Sequence, residues 1–519
     1  MANQITYATM SADNEELHAA YERGIEIARG WLGQDNPFYV SGRPRHGEGW
    51  YEEYSPIDQQ LLIGRYSQAT VADMNDAVAA ALEYQPTWAA TPWRERVAII
   101  RRLGDVLDEQ TPELAALLAF EVGKNRLEAL GDVAETAEFC RYYAHQMEQH
   151  NGFVTPLGKL SPNEDNTSVL RPYGVWAVIS PFNFPMALAG GPSTAALLTG
   201  NTVVLKPSNA GALTGLKLYE AMMTAGVPTG AMQIVTGAGA VVGRALAEHQ
   251  HVAGITFTGS YEVGMGIYKG FAKTMPKPAV CEMGGKNPVV VSAKADLDLA
   301  AEGTMRAAFG FSGQKCSAAS RVYVERRAFD RFVELLVEKT RKLQLGDPIE
   351  RGTFVGPVID RKAVARFAEA VEEVRAKGGD VLIGGSSVGE GDLGRGTFVE
   401  PTVVTVPFDS WVWSRELFVP LVVVGPVDSV EEGIRRANDT EYGLTAGFYS
   451  MDENEINRFF DSIEAGVTYV NRRAGATTGA WPNIQAFGGW KASGTSGTGG
   501  GGPWYLLQYL REQSRTRVR

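Results

Sequence analysis

Cys316 stands in FGFSGQKCSAASR, residues 309–321, among glycines and serines that leave its sulfur uncrowded. A thiol in such surroundings serves as a nucleophile when positive charge or backbone N–H groups favour its thiolate. A lone cysteine is more often a small buried hydrophobe. Glu282 lies in AVCEMGGKNP, at the end of an apolar run and before two glycines. A carboxylate there can point into a cleft and act as a general base; the plainer reading is a helix cap or an ion pair with Lys286. Asn183, in ISPFNFP, ends another apolar run. Its amide can donate to a developing oxyanion, or simply complete a turn. The three describe chemistry at one carbonyl carbon, provided that distant stretches meet in one cleft.

The elements that must bring them together follow a regular pattern. GVWAVIS (174–180), NTVVLK (201–206), MQIVTG (232–237) and GITFTG (254–259) are short apolar runs bounded by Gly, Pro or Asn. Each precedes a helix-like stretch, at 185–199, 211–225, 240–249 and 261–273. This alternation predicts right-handed βαβ units and a parallel sheet. Such a sheet binds ligands at its carboxyl edge, so this is a doubly wound nucleotide-binding candidate. A second alternation starts at NPVVVS (287–292) and runs through a helix near 296–310, RVYVER (321–326), helices at 328–343 and 361–377, and DVLIGG (380–385). It predicts a second α/β domain.

Upstream, residues 11–32 place Leu17, Tyr21, Ile25 and Ala28 on one helical stripe. Residues 36–65 read as irregular or extended connection, and 70–149 as helical, with Pro92 and Pro112 at new helix starts. The tail GGPWYLLQYLREQSRTRVR is apolar, aromatic and then basic. Trp504, Tyr505, Leu506, Leu507 and Tyr509 suit an arm docked on another subunit better than a solvent-facing tail.

The 519 residues correspond to two to four domains, and 44% hydrophobic with 21% charged residues is ordinary for folded soluble chains. A net charge of −11 argues against nucleic acid or an anionic membrane as partner, though not against an anionic substrate. Cys140, Cys281 and Cys316 are too scattered for a disulfide framework, which points to a reducing compartment. Six scattered histidines give no zinc spacing, so no metal is expected. The first residues lack the basic start and apolar core of a signal peptide. No run approaches the ~18 apolar residues of a membrane span. A cytoplasmic location is expected.

ISPFNFP, NTVVLKPS, TFTGS, EMGGKNP, GQKCSAASR, ELFVP and AFGGWKASG occur in this order between residues 179 and 494. As an ordered set they resemble the aldehyde dehydrogenase superfamily. The resemblance implies that α/β fold: a Rossmann-type nucleotide-binding domain, an α/β catalytic domain and a small β oligomerisation arm. It implies an N-terminal extension over 1–45 and an NAD(P)-binding domain over 46–281, interrupted near 150–171 by part of the arm. A catalytic domain over 282–484 and a return to the cofactor domain with a C-terminal arm over 485–519 would follow.

The same resemblance implies that Cys316 attacks an aldehyde to give a thiohemiacetal, whose oxyanion Asn183 and the Cys316 N–H stabilise. Hydride transfer to the nicotinamide leaves a thioester, which Glu282 hydrolyses by activating water, favouring a free carboxylate product over transfer to coenzyme A. Cys281 is then structural. Lys206 and Ser208 match positions near the adenosine ribose; Gly259 and Ser260 match the pyrophosphate site, where a helix opens. Glu416 and Phe418 match residues at the nicotinamide ribose and ring, and Ile179, Pro181, Phe182, Gly239 and Val263 complete the cofactor set. TGAGAVVG (236–243) has G-x-G character but resembles the adenine-side turn. NAD is the expected cofactor. Asn209 stands where NAD-selective relatives often carry Glu, which leaves NADP use open.

Within the superfamily the chain is most similar to the 1-pyrroline-5-carboxylate dehydrogenases, which oxidise L-glutamate γ-semialdehyde to L-glutamate in proline catabolism. The similarity lies in the long N-terminal segment, PFNF in place of PWNF, Ser317 after the nucleophile, and TTGAWPNIQAFGGWKASGT (477–495). It implies that Ser317 with the backbone of Gly479 and Ala480 anchors the α-carboxylate. Glu135 would receive the α-ammonium, and Phe184 and Phe487 would pack on the aliphatic middle. Trp481, Pro482 and Ala486 depart from the usual loop. Other aliphatic, aromatic or semialdehyde substrates stay open, as does a catalytically silent scaffold. A homo-oligomer is expected, with a separate proline dehydrogenase as a candidate partner.

Overall fold

The computed structural model describes residues 14–473 and 481–519. The Ala- and Leu-rich stretch forms helices Val71–Ala90, Trp93–Glu109, Thr111–Val122 and Arg126–Gln149. Thr70 caps the first of these reciprocally with Asp73, satisfying donors that the helix leaves open. Pro92 is the N-cap of the second and Pro112 lies in the first turn of the third, where a missing N–H costs nothing. The N-terminal helix Glu15–Arg29 packs on Thr111–Val122. A Cβ on Gly24 would stand 2.4 Å from the Pro112 backbone, so only glycine permits this approach.

The helix Val71–Ala90 packs on a seven-stranded sheet in the order Ala279–Glu282, Val252–Thr258, Val175–Ile179, Thr202–Lys206, Met232–Ile234, Phe38–Val40, Arg43–Arg45. The first five strands are parallel, and an antiparallel hairpin finishes one edge. The five parallel strands are largely apolar because both faces are covered, whereas the edge strand Arg43–Arg45 is exposed and charged. Val175–Ile179 precedes the other parallel strands in sequence yet lies inside the sheet. Thr202–Lys206 and Met232–Ile234 extend to one side, whereas Val252–Thr258 returns to the other. The switch point therefore opens between the ends of Ile179 and Thr258.

The second sheet runs Asp380–Ile383, Thr402–Thr405, Leu421–Val427, Ala319–Glu325, Asn287–Val291, Thr445–Tyr449, Val467–Val470. All its pairings are parallel except that of the edge strand Asp380–Ile383. Glu282 ends a strand of the first sheet and Asn287 opens one of the second, with only the turn 283–286 between them. The carboxyl edge of one sheet thus adjoins the amino edge of the other.

The tail departs in part from the sequence reading. Tyr505, Leu506 and Tyr509 are buried in the chain's own core, Tyr509 with its ring centre 4.4 Å from that of Trp176. Large rings need apolar cover, and the first sheet supplies it. Trp504 and Leu507 remain exposed. Beyond them Leu510–Val518 pairs antiparallel with the whole of Glu164–Pro172, which also pairs with Val154–Pro156. Among the described residues no helix is long and apolar enough to cross a membrane.

Candidate active site

Where the two sheet edges meet, a cavity is lined by Cys316, Ser317, Glu282, Phe184, Glu135 and Phe487. These residues come from five separate stretches of the sequence, and the fold brings them together. Phe139 and Tyr143 from the helix Arg126–Gln149, and Tyr505 from the tail, add walls that the sequence reading missed. Asn183 is not itself a wall. It is buried beside Phe184, in the turn between Val175–Ile179 and the helix Ala187–Leu198. Gly479 and Ala480 lie outside the described residues.

The loop before Cys316 is strained. Phe311, Ser312 and Gly313 are consecutive left-handed residues, with φ of 47°, 54° and 68°. For the two non-glycine residues this conformation is costly and persists only where surroundings enforce it. The Ser312 hydroxyl donates to the Gly356 carbonyl at 2.8 Å, and the Gln314 side chain accepts from the Ile359 N–H at 2.7 Å. Asn287 holds the other side of the loop. Its amide donates to the carbonyls of Cys316 at 2.7 Å and Ala318 at 2.9 Å, and its oxygen accepts from the Thr445 N–H at 3.0 Å. Asn287 was visible in the GGKNP motif, but its partners were not, since nothing local marks a contact with Cys316 or Thr445.

Cys316 is half-buried. Burial pushes its thiol up to about 12, and the charges of Glu416 and Glu282 add to the shift. The backbone N–H groups of Ser317 and of Cys316 itself pull the other way. The thiol therefore rests protonated and must lose its proton to a base before it attacks. Glu282 shares its cavity. One carboxylate oxygen accepts from the Gly489 N–H at 3.3 Å, and the other is buried without a hydrogen-bond partner. Burial pushes this carboxyl up to about 8, partly offset by the Gly489 N–H. The alternative pairing with Lys286 does not form, for the Lys286 ammonium is buried without a hydrogen-bond partner. A raised carboxyl with one free oxygen in a cavity is suited to exchanging protons near neutral pH.

The two glycines after Glu282 set how closely the parts approach. Glu416 accepts from the Gly285 N–H at 3.0 Å. A Cβ on Gly284 would lie 2.2 Å from a Glu416 carboxylate oxygen, and one on Gly285 would lie 2.7 Å from the Cys316 carbonyl. Gly284→Ala is expected to destabilise the fold by about 1–3 kcal/mol through overpacking. Gly266→Ala is the control, since a Cβ there meets nothing within 4 Å. Thermal denaturation of both variants reads the difference, and an unchanged midpoint for Gly284→Ala would sink this account.

The residues expected around a cofactor line the carboxyl edge of the first sheet. Ile179 and Lys206 each end a strand, and Pro181 and Ser208 follow them. Gly239 opens the exposed turn after Met232–Ile234. Gly259 and Ser260 follow Val252–Thr258, and the Gly259 N–H donates to the Glu282 carbonyl at 3.1 Å. Ser260 is the N-cap of Tyr261–Phe271 and makes no side-chain cap, so that helix presents N–H groups outward, with exposed Val263 in its first turn. Lys206 is buried, donates to the Pro207 carbonyl at 2.9 Å, lies 3.5 Å from the Asn209 oxygen, and is pushed down to about 8 by burial. Phe182 meets Phe418 edge-on at 5.9 Å, with Phe418 at φ 56°. Burial pushes neighbouring Glu416 up to about 7, against the pull of the Gly285 N–H, Lys286 and Arg366.

The sequence model of the aldehyde dehydrogenase family matches residues 43–514. A 1-pyrroline-5-carboxylate dehydrogenase of Geobacillus sp. (strain WCH70) is 36% identical over 506 residues, 96% of each chain. The crystal structure of a 1-pyrroline-5-carboxylate dehydrogenase from Thermus with bound NAD superposes with a TM-score of 0.92 at 33% identity, covering 98% of this chain and 97% of that one. Proline utilization A from Bdellovibrio bacteriovorus superposes with a TM-score of 0.91 at 34% identity, over 96% of this chain and 52% of that longer one.

Proposed function

Because this chain belongs to the aldehyde dehydrogenase family, we propose that it oxidises L-glutamate γ-semialdehyde, the open form of 1-pyrroline-5-carboxylate, to L-glutamate. The observation that carries the reading is the single cavity in which Cys316 and Glu282 meet Ser317, Glu135, Phe184 and Phe487. A silent scaffold has no need of a free carboxylate oxygen beside a thiol.

In this reading Glu282 takes the Cys316 proton, and the sulfur attacks the aldehyde carbon. The Asn183 amide and the Cys316 N–H stabilise the oxyanion. Bound NAD would supply the hydride acceptor; Lys206, Ser208, Gly259, Ser260, Glu416 and Phe418 would hold it, with Ile179, Pro181, Phe182, Gly239 and Val263. Glu282 releases the first proton to solvent, then takes one from the water that hydrolyses the thioester on Cys316 and returns it to the departing sulfur. Glu135 receives the substrate's α-ammonium, Ser317 its α-carboxylate, and Phe184 and Phe487 flank its methylenes. Asn209 brings no negative charge against a 2′-phosphate, so NADP also serves.

The segment 46–281, with its interruption near 150–171 and with the preceding hairpin Phe38–Val40 and Arg43–Arg45 joined to its sheet, acts as the cofactor domain, and 282–484 as the catalytic domain. The sheet of Val154–Pro156, Glu164–Pro172 and Leu510–Val518 is an arm for homo-oligomerisation. The enzyme works in the cytoplasm, supplied by a separate proline-oxidising enzyme. Steady-state NADH formation is expected to give a kcat/KM for 1-pyrroline-5-carboxylate about tenfold or more above that for simple aldehydes, because both charged ends are recognised. A higher value for an aliphatic or aromatic aldehyde would overturn the substrate while leaving the chemistry.

A further inference from the structure

Behind the Phe184 wall lies a buried ion pair that none of these steps uses. Lys124 follows the helix Thr111–Val122, and Asp132 faces it from the helix Arg126–Gln149. Both side chains are 0% exposed, and the ammonium meets one carboxylate oxygen at 2.9 Å. The other carboxylate oxygen accepts the N–H of Ala187, the first residue of Ala187–Leu198, at 2.8 Å. The Lys124 ammonium stands 3.6 Å from the centre of the Phe184 ring and 5.1 Å from that of Phe311. One pair therefore holds the turn carrying Asn183 and Phe184 through both a ring and an N–H. It also borders the strained loop that leads to Cys316.

A buried ion pair is weak support for stability, because removing both charges from water costs about as much as their attraction returns. Its position suits another role. The face of an aromatic ring attracts a cation, and the attraction strengthens when no water lies between them. Burial drives Lys124 towards neutrality and Asp132 towards protonation, while each charge pulls the other back towards its ionised form. Lys315, paired with Glu128, adds a second ammonium 6.0 Å from the same ring.

We propose that Lys124, anchored by Asp132, is a positioning residue that locks the Phe184 ring as a rigid wall of the substrate cavity and so sets the grip on the substrate's aliphatic middle. This rests on the reading that Phe184 packs against substrate. The test removes both charges together, as Lys124→Met/Asp132→Asn, which conserves volume and keeps an oxygen for the Ala187 N–H. With 1-pyrroline-5-carboxylate, KM is expected to rise about tenfold, with kcat and the propanal parameters changed by less than about twofold.

The same pair of substitutions made in a Phe184→Leu background should change KM by less than about twofold, since no ring remains to be held. An equal KM change in both backgrounds, or none in either, would overturn the proposal. A second measurement needs no substrate. With 3-fluorophenylalanine at position 184, a ring held by Lys124 gives fluorine resonances in slow exchange, one per populated orientation, and Lys124→Met/Asp132→Asn brings them into fast exchange. Fast exchange already in the parent, or the same spectrum in both proteins, would overturn the proposal. If the enzyme proves not to oxidise 1-pyrroline-5-carboxylate, the substrate reading fails alone, and the fluorine spectrum still decides the role of Lys124.

Discussion

Cys316→Ala is expected to lower NADH formation by about 10⁴-fold or more with every aldehyde, because among the described residues Cys316 is the one thiol that lines the cavity. Cys140 and Cys281 are buried elsewhere and cannot substitute. The loop itself should survive, since Asn287 binds the carbonyls of residues 316 and 318 rather than the sulfur. The variant should therefore melt within a few degrees of the parent and still bind NAD. Unchanged turnover in a folded variant would refute thioester chemistry at this position.

Glu282→Gln separates the two halves of the reaction. The amide oxygen can still accept from the Gly489 N–H, but the side chain no longer takes a proton. Aldehyde and NAD are expected to give a slowed burst approaching one NADH per site, followed by turnover about 10²–10⁴-fold below the parent. Intact mass after quenching should show the acyl group on Cys316. Parent-like steady turnover without a burst would remove Glu282 from the mechanism.

The pH dependence has a definite sign. Burial raises the Glu282 carboxyl from an ordinary 4.5 to about 8, so the base form accumulates only as pH rises through 8. Parent kcat should climb to a plateau across that range, and the climb should vanish in the glutamine variant. Stability runs the opposite way. A carboxyl whose folded pKa is raised contributes stability below its unfolded pKa, and loses it as pH rises through the folded one. Glu282→Gln should therefore gain in melting temperature relative to the parent between pH 6 and pH 9.

The parts of this site legible in the sequence were those fixed by local pattern. Short apolar runs ending in Gly, Pro or Asn marked Ile179, Lys206, Gly259 and Glu282 as strand ends, because a covered parallel strand has to read that way. The glycines beside Cys316 and Glu282 announced a close approach, and the ordered motifs tied those segments to one family. What stayed hidden depends on pairing across long separations. The hairpin Phe38–Val40 and Arg43–Arg45 extends the first sheet through a partner nearly two hundred residues away. Asn287, the Lys124–Asp132 pair and Tyr505 act on residues that no periodicity connects to them. The left-handed stretch at Phe311 and Ser312 was illegible for another reason, since neither residue type favours that backbone and only the surrounding contacts impose it.

Tyr505 and Gly500 line the cavity, yet they come after both sheets in chain order. During translation, the reactive thiol and its carboxylate leave the ribosome well before the residues that close the chamber around them. Competence therefore arrives only when the stretch beyond residue 500 has been made and folded back. Premature termination upstream of that point should leave the chamber open and the first sheet short of the rings that fill its core.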